Sequence, residues 1–319
     1  MLSWLNCINP LKHRSRVHLV TSAIVPIVIM LALGTVLRRR FVTDPSFWRS
    51  MEWLNYHVLT PALFISSIAV TEVRAMPVGP MLLTLAAPLV LTVLMLVALR
   101  RMLKSDGPRL TSVVQGSIRI NTYIGLGFAS ALHGSEGIAT FALCSAIVVP
   151  TVNVLCITVL VFYGASEKTV TVGSVARELA TNPLILACLI GLVLSVTGVS
   201  LPDFAGAALS LLSSPALVTG TLTVGAGLTL RLSLRDAADV GLSSALRLVA
   251  LPLFVGSLAA ATGIHGVLLT SVLLISAVPT APSAYILASR LGGDTRLMAS
   301  ITGIQTLLST VTMPLMLYL

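Results

Sequence analysis

The chain has 319 residues, of which 56% are hydrophobic and only 10% are charged. Soluble domains carry about 25% charged residues, so this composition excludes an ordinary soluble protein. The formal net charge of +9 comes largely from small basic groups that flank apolar blocks, which argues against a nucleic-acid-binding surface and for a chain held in a lipid bilayer.

Apolar blocks separated by polar residues predict an all-α integral membrane protein with ten spanning helices. A bilayer is crossed by about 20 helical residues, and lipid offers no partner to an unpaired backbone group. In chain order the predicted spans are Leu19–Leu37, Met51–Val70, Val78–Leu99, Ser112–Leu132, Gly137–Tyr163, Asn182–Ser200, Leu209–Leu230, Gly241–Ala261, Val267–Ser289 and Leu297–Leu319. Residues 1–18 form a tail before the first span.

The basic residues of the loops predict how the chain is oriented. The loops after spans 1, 3, 5, 7 and 9 carry four, four, two, two and two Lys or Arg residues, whereas the even-numbered loops carry only Arg74. Basic loops are retained in the cytoplasm, so we expect the odd-numbered loops there and both termini outside. Lys12, Arg14 and Arg16 in the tail oppose this orientation, but the loop pattern outweighs them.

The two halves of the sequence share residues at a nearly constant spacing. Pro26, Gly34, Pro45 and Phe47 recur 157 residues later as Pro183, Gly191, Pro202 and Phe204, and Thr122, Gly134 and Glu136 recur 158 residues later as Thr280, Gly292 and Asp294. We therefore predict two five-helix repeats, residues 19–163 and 182–319, joined by a cytoplasmic linker at residues 164–181. An odd number of spans makes the second repeat enter the membrane from the opposite side, so the repeat is inverted.

Inverted repeats are a recurring plan of secondary transporters, which bind their substrates near the midplane between discontinuous helices. Spans 4 and 9 contain helix-breaking residues at matching positions, Asn121 and Thr122 in one and Pro279 and Pro282 in the other. Each proline removes a backbone donor and costs about 3 kcal/mol inside a helix. We expect both helices to be broken and to cross, so that their half-helix N-termini attract an anion.

The predicted substrate site is centred on this crossing. Its members are Asn121, Thr122, Tyr123, Gly125 and Gly127 from span 4, Pro279, Thr280, Pro282 and Ser283 from span 9, and Arg119, Asn153 and Gln305 beside them. Two interpretations of Arg119 stay open, attraction of a carboxylate and extension to the membrane interface. Asn153 and Gln305 either line the same cavity or make interhelical contacts, and Arg247 is expected to extend to the interface.

The positions of the acidic residues argue against proton coupling through a carboxylate. All eleven lie in loops or at the ends of spans, whereas proton relays in transporters are usually carboxylates within the membrane. We therefore expect coupling to the membrane potential or to a cation held by backbone carbonyls, with His57 as a further proton-sensitive candidate. The chain has no HExxH, GxSxG or P-loop motif, so we expect no enzyme activity, no catalytic residue, no metal and no cofactor.

At these residues the sequence resembles the auxin efflux carrier family of membrane transporters, in its bacterial branch. The segments that carry the resemblance are Arg119–Gly127, His133–Gly137, Asn182–Ile185, Ser276–Tyr285, Gly292–Asp294 and Gln305–Ser309. The resemblance implies a scaffold subdomain, a transport subdomain with the crossed helices, and elevator-type alternating access. It also implies transport of small organic anions such as malate, malonate or auxin-like acids in a bacterial inner membrane, and the homodimers that are frequent in the family. A channel or a membrane receptor for a small solute is the open alternative.

Overall fold

The computed structural model describes residues 25–103, 105–165, 172–199, 201–228 and 234–318. Within these ranges the regular structure is helical, with no strand. The predicted tail at residues 1–18, the first residues of the first predicted span (19–24) and residues 166–171 of the predicted linker lie outside the described residues.

Twelve helices follow one another along the described residues. In the first half, α1 covers residues 25–41, α2 residues 45–69, α3 Val78–Leu99, α4 Gly107–Ile118 and α5 Thr122–Tyr163. In the second half, α6 covers Val172–Ala180, α7 Pro183–Thr197, α8 Asp203–Ala226, α9 Ala237–Ala261, α10 Gly266–Ala277, α11 Ser283–Leu291 and α12 Thr295–Tyr318.

Five helical stretches of the described chain are long and apolar enough to cross a membrane. They are Val78–Leu99, Gly107–Tyr163, Asp203–Ala226, Ala237–Ala261 and Thr295–Leu317. Pro183–Thr197 and Gly266–Ala277 are shorter apolar helices. The predicted class, a helical membrane protein, is therefore confirmed, and the span predicted at Val78–Leu99 matches α3 at both ends.

Prolines shape the long helices from within. Pro61 in α2 and Pro252 in α9 each follow a π-helical turn, Asn55–Leu59 and Leu246–Ala250 respectively. A proline in a helix lacks the N–H and crowds the carbonyl four residues earlier, and a wider turn is one way for a helix to accommodate this. Both helices continue through the prolines rather than ending at them.

A network of charges joins the starts of three helices. Asp236, just before α9, is fully buried and pairs with Arg109 of α4 at 3.1 Å and with Arg296 of α12 at 3.0 Å. Asp239 of α9 also pairs with Arg109, whose Nε donates to Asp239 Oδ2 at 3.0 Å. Because one buried carboxylate holds two arginines, α4, α9 and α12 are tied together at one end.

Glycines bring helices into backbone contact elsewhere. A Cβ at Gly34 of α1 would overlap the carbonyl oxygen of Leu222 of α8, and Thr35 Oγ1 donates to the carbonyl of Gly225 at 2.7 Å. Gly191 of α7 similarly lies against Ile68 of α2. Small residues at such crossings let membrane helices approach closely. These contacts hold α1 against α8 and α2 against α7.

The α1–α8 contact predicts that Gly34→Ala destabilises the fold. Because the obstacle is backbone, the helices must separate, and overpacking of this kind costs about 1–3 kcal/mol. Gly206→Ala in α8 is the matched control, since nothing lies within 4 Å of its Cβ position. Thermal unfolding of the two purified variants in detergent measures the difference. Equal unfolding temperatures would show that the α1–α8 contact is not tight.

Candidate functional site

The first helix break separates α4 from α5. Helix α4 ends at Ile118, and Arg119 is extended with φ −68° and ψ 149°. Asn121 restarts the chain as a helix, because its side-chain Oδ1 accepts a hydrogen bond from the backbone N–H of Ile124 at 3.3 Å. Asparagine is a favoured N-cap for this reason. The break predicted in span 4 is therefore present.

The second break separates α10 from α11 and meets the first. Val278 is extended, with φ −62° and ψ 146°, as expected for a residue that precedes a proline. Pro282 then occupies the N-cap of α11. The backbone N–H of Asn121 donates to the carbonyl of Pro279 at 2.9 Å, so the two extended segments are joined where they cross. The break predicted in span 9 is present as well.

Two buried side chains satisfy backbone groups that the breaks set free. Gln305 of α12 accepts from the N–H of Thr280 at 3.0 Å and donates from Nε2 to the carbonyl of Gly116 at 2.9 Å. Arg247 donates from Nε to the carbonyl of Val278 and from Nη2 to that of Ile275, both at 2.7 Å. Arg247 has 0% exposure, so the expectation that it extends to the membrane interface is wrong. Its guanidinium faces the C-terminal end of α10, where the helix dipole is negative.

A cavity of about 150 Å³ lies in front of the crossing. The crossing contributes part of the wall, and the rest comes from α2, α7, α8 and the second half of α5. The lining residues are Glu52, Tyr56, Arg119, Ile120, Asn121, Thr122, Tyr123, Val149, Val152, Asn153, Leu184, Thr223, Val224, Gly227, Ala281, Pro282 and Ser283. Two wider chambers of about 600 and 500 Å³ adjoin this central cavity and share several of its lining residues.

The central cavity presents hydrogen-bond donors that have no partner. The first residues of α5 and of α11 both line it, so two helix N-termini with partial positive charge meet there. Asn121 Nδ2 and Arg119 Nη1 are buried without a hydrogen-bond partner among the described residues. Arg119 Nη2 lies 3.4 Å from Ser283 Oγ of the other helix break. This arrangement is suited to an anion that accepts several hydrogen bonds.

Seven of the twelve predicted site residues line this cavity. They are Arg119, Asn121, Thr122, Tyr123, Asn153, Pro282 and Ser283. The other five lie behind or beside the crossing: Gly125 packs on Phe141, Gly127 faces Ile27, Pro279 and Thr280 form the back of the crossing, and Gln305 holds Thr280. Of the two open interpretations of Arg119, its position in the lining agrees with the cavity-facing one.

Comparison with known proteins finds similarity to membrane transporters. A family model described as membrane transport protein matches residues 166–317. A protein of Methanothermobacter thermautotrophicus (strain Delta H), described as an uncharacterized transporter, is 24% identical over 298 residues, which cover 92% of this chain and 96% of the relative. Over residues 166–317 the chain is similar to this family of membrane transport proteins. The resemblance noted in the sequence is thereby confirmed, and this membrane transport protein is a transporter and not an enzyme.

The sequence analysis missed one charged residue of the transporter's cavity. Glu52 lines the central cavity and both wider chambers, although the sequence analysis placed it at the end of a span. The cause is the start of α2, which begins at Pro45 instead of near Met51. Asp44 accepts a hydrogen bond from the N–H of Ser46 at 2.8 Å and caps the helix, which places Glu52 two turns inside it. The Asp44-Pro45-Ser46 triplet is a helix-start signal that could have revealed this.

The role of Gln305 predicts that Gln305→Leu destabilises the transporter. Leucine fills a similar volume but leaves the N–H of Thr280 and the carbonyl of Gly116 buried without partners, at about 1–3 kcal/mol for each group. Thr310→Val on the same helix is the control, because the Thr310 hydroxyl bonds only within α12, to Leu307. The measurement is the unfolding temperature in detergent. If both variants unfold at the wild-type temperature, Gln305 does not support the crossing.

Proposed function

We propose that this protein is a secondary transporter of small organic anions, built from ten spanning helices in two inverted five-helix repeats. The observation that carries the proposal is the meeting of two half-helix N-termini with Arg119 and Asn121 at one cavity. These groups offer hydrogen-bond donors and positive charge to a ligand placed between two broken helices. Transporters with inverted repeats bind anionic substrate groups in this way near the bilayer midplane.

Corresponding features of the two halves support the inverted repeat. Helices α4 and α10 both have 12 residues and begin 159 residues apart, at Gly107 and Gly266. Gly134 and Gly292, 158 residues apart, both have positive φ, 57° and 76°. Gly134 interrupts α5 with non-helical backbone angles, and Gly292 follows the last residue of α11. The close contacts at Gly34 and Gly191 also correspond, since each joins the first span of one half to the second span of the other.

The division of contacts around the cavity supports an elevator mechanism. Helices α3, α4, α5, α9, α10, α11 and α12 would form the transport subdomain, because the charge network and the crossing tie most of them together. Helices α1, α2, α7 and α8 would form the scaffold on the other side of the cavity. The wider chambers are lined by Arg49, Arg290 and Arg296, which stand in predicted cytoplasmic loops, so the described conformation would be open inward.

The lining suggests the chemistry of the solute. Arg119 and Asn121 would bind a carboxylate, and Tyr56, Val149 and Val152 provide an apolar wall for a short carbon skeleton. Small acids such as malate, malonate or auxin-like acids have this combination. The bacterial inner membrane, termini outside the cytoplasm and a homodimer remain predictions from the sequence.

Solute flux in proteoliposomes tests the proposal against its alternatives. A transporter gives saturable and stereoselective uptake of a radiolabelled carboxylate such as malate. Flux that rises in proportion to concentration indicates a channel, and binding without flux indicates a receptor. A preliminary stability-shift screen against carboxylates selects the acids, because a ligand of the folded state raises the unfolding temperature.

Arg119 is expected to contribute directly to anion binding. Arg119→Gln should lower uptake at low solute concentration by about 10- to 150-fold, since a hydrogen bond to a charged group contributes about 1.5–3 kcal/mol. Arg101→Gln is the control, because Arg101 is exposed and lies outside the cavity lining. Equal uptake by the two variants would remove Arg119 from the site.

Asn121 allows the binding role to be separated from the helix cap. Asn121→Asp keeps the oxygen that accepts from Ile124 but replaces the unpartnered Nδ2 donor with an anionic acceptor. We expect loss of anion uptake with nearly normal membrane abundance, because the cap remains while the added negative charge repels the solute. Asn121→Ala, which also removes the cap, is expected to lower abundance and uptake together. Normal uptake by Asn121→Asp would place the solute elsewhere.

A further inference from the structure

We propose that Glu52 binds the proton that accompanies the anion, so that the protein works as a proton–anion symporter. The inference rests on the proposed function, because it concerns the same cavity. It replaces the expectation, drawn from the sequence, that no carboxylate serves in coupling. Glu52 is the acidic residue that lines the central cavity and both chambers within the described chain.

Glu52 has no ion-pair partner among the described residues. The ion pairs of the described chain join Arg109 and Arg296 to Asp236 and Asp239. None of these four residues lines the central cavity, and Arg296 lines one of the wider chambers. A carboxylate locked in a salt bridge would stay ionised through a transport cycle, whereas an unpaired one at a cavity within a membrane protein is free to exchange a proton. Carboxylates in this position are functional candidates as proton relays.

The charged and titratable groups around Glu52 come from every neighbouring wall. Its own helix contributes Arg49, Tyr56 and His57, the crossing contributes Arg119, α5 contributes Tyr123, α11 contributes Tyr285 and Arg290, and α12 contributes Arg296. The described residues of α7 and α8 that line the central cavity contribute no charged or titratable group. Four of these eight groups are arginines, and Arg119 is the one that belongs to the crossing.

An anion and an ionised Glu52 would compete for this positive environment. A carboxylate bound at Arg119 and Asn121 shares the small central cavity with Glu52, and two like charges at a desolvated site disfavour each other. Anion binding therefore favours protonated Glu52. By thermodynamic reciprocity, protonated Glu52 favours anion binding by the same factor.

The transport cycle then balances in protons: with one proton a monoanion crosses without net charge, and a dianion carries one negative charge. One proton passes from water in the wide chambers to the Glu52 carboxylate as the anion binds. The same proton leaves the carboxyl group for water after the anion is released on the other side. No covalent bond of the solute changes. Anion affinity is highest at pH values at which Glu52 is protonated in the complex, and above that range it falls by up to about tenfold per pH unit.

Uptake driven by a pH gradient tests the inference, with malate as the probe. In proteoliposomes with an alkaline lumen, we expect the wild type to accumulate malate against its gradient and to carry protons inward, as read by a pH-sensitive dye in the lumen. Glu52→Gln resembles the protonated state, so it is expected to bind malate but to lose accumulation and proton movement. Glu72→Gln is the matched control, because Glu72 is exposed at the end of α2 and lines none of these cavities.

A binding measurement covers the case in which Glu52→Gln is too slow to assay. The stability shift produced by malate is recorded from about pH 6 to about pH 8, where free carboxylic acids are largely ionised. A pH-dependent shift in the wild type and a pH-independent one in Glu52→Gln support the inference. The same pH dependence in both proteins overturns it, as does a loss of coupling in His57→Gln while Glu52→Gln remains coupled. If the wild type neither binds nor transports any tested carboxylate, the proposed function itself fails.

Discussion

The structure depends on one constraint, that a backbone N–H or carbonyl inside a membrane must find its partner within the protein. Both helix breaks interrupt the internal ladder of hydrogen bonds at depth. The gap is closed by the chain itself, through the bond from Asn121 to Pro279, and by the side chains of Gln305 and Arg247. The crossing is therefore supported by hydrogen bonds on the side away from the cavity, and its other side lines the cavity.

This arrangement explains the polarity of the cavity. The side chains of Gln305 and Arg247 pair backbone groups behind the crossing. The cavity is lined by the starts of two helices and by Arg119 and Asn121, which carry unpartnered donors. Donors without acceptors attract an anion. Glu52 on the facing wall is the opposing charge, and it comes from α2, which does not take part in the crossing. A movement of the crossing helices against α2 would therefore change the distance between the proposed anion site and this carboxylate.

The arginines of this protein have different roles. Arg247 is completely buried and donates to carbonyls at the end of α10, so it acts as a helix cap although it carries a charge. Arg109 and Arg296 instead share the buried Asp236 and join three helix starts. Arg119 and Arg247 each have a buried nitrogen without a partner among the described residues, but of these four arginines Arg119 is the one that lines the central cavity. The net charge of the chain therefore says little about the site until each arginine is placed.

The sequence alone determined the protein class, the positions of most helices, the two breaks and the family resemblance. These features are local, since apolar length defines a span and proline or an N-capping asparagine interrupts a helix wherever the chain runs. Tertiary structure alone decided which polar residues face the cavity. Thr280 was predicted to bind solute yet lies behind the crossing, and Gln305, for which two interpretations were open, makes interhelical contacts. Glu52 was overlooked because its helix begins earlier than its apolar stretch. The direction of a side chain depends on how helices rotate and pack against one another, and no single stretch of residues contains that information.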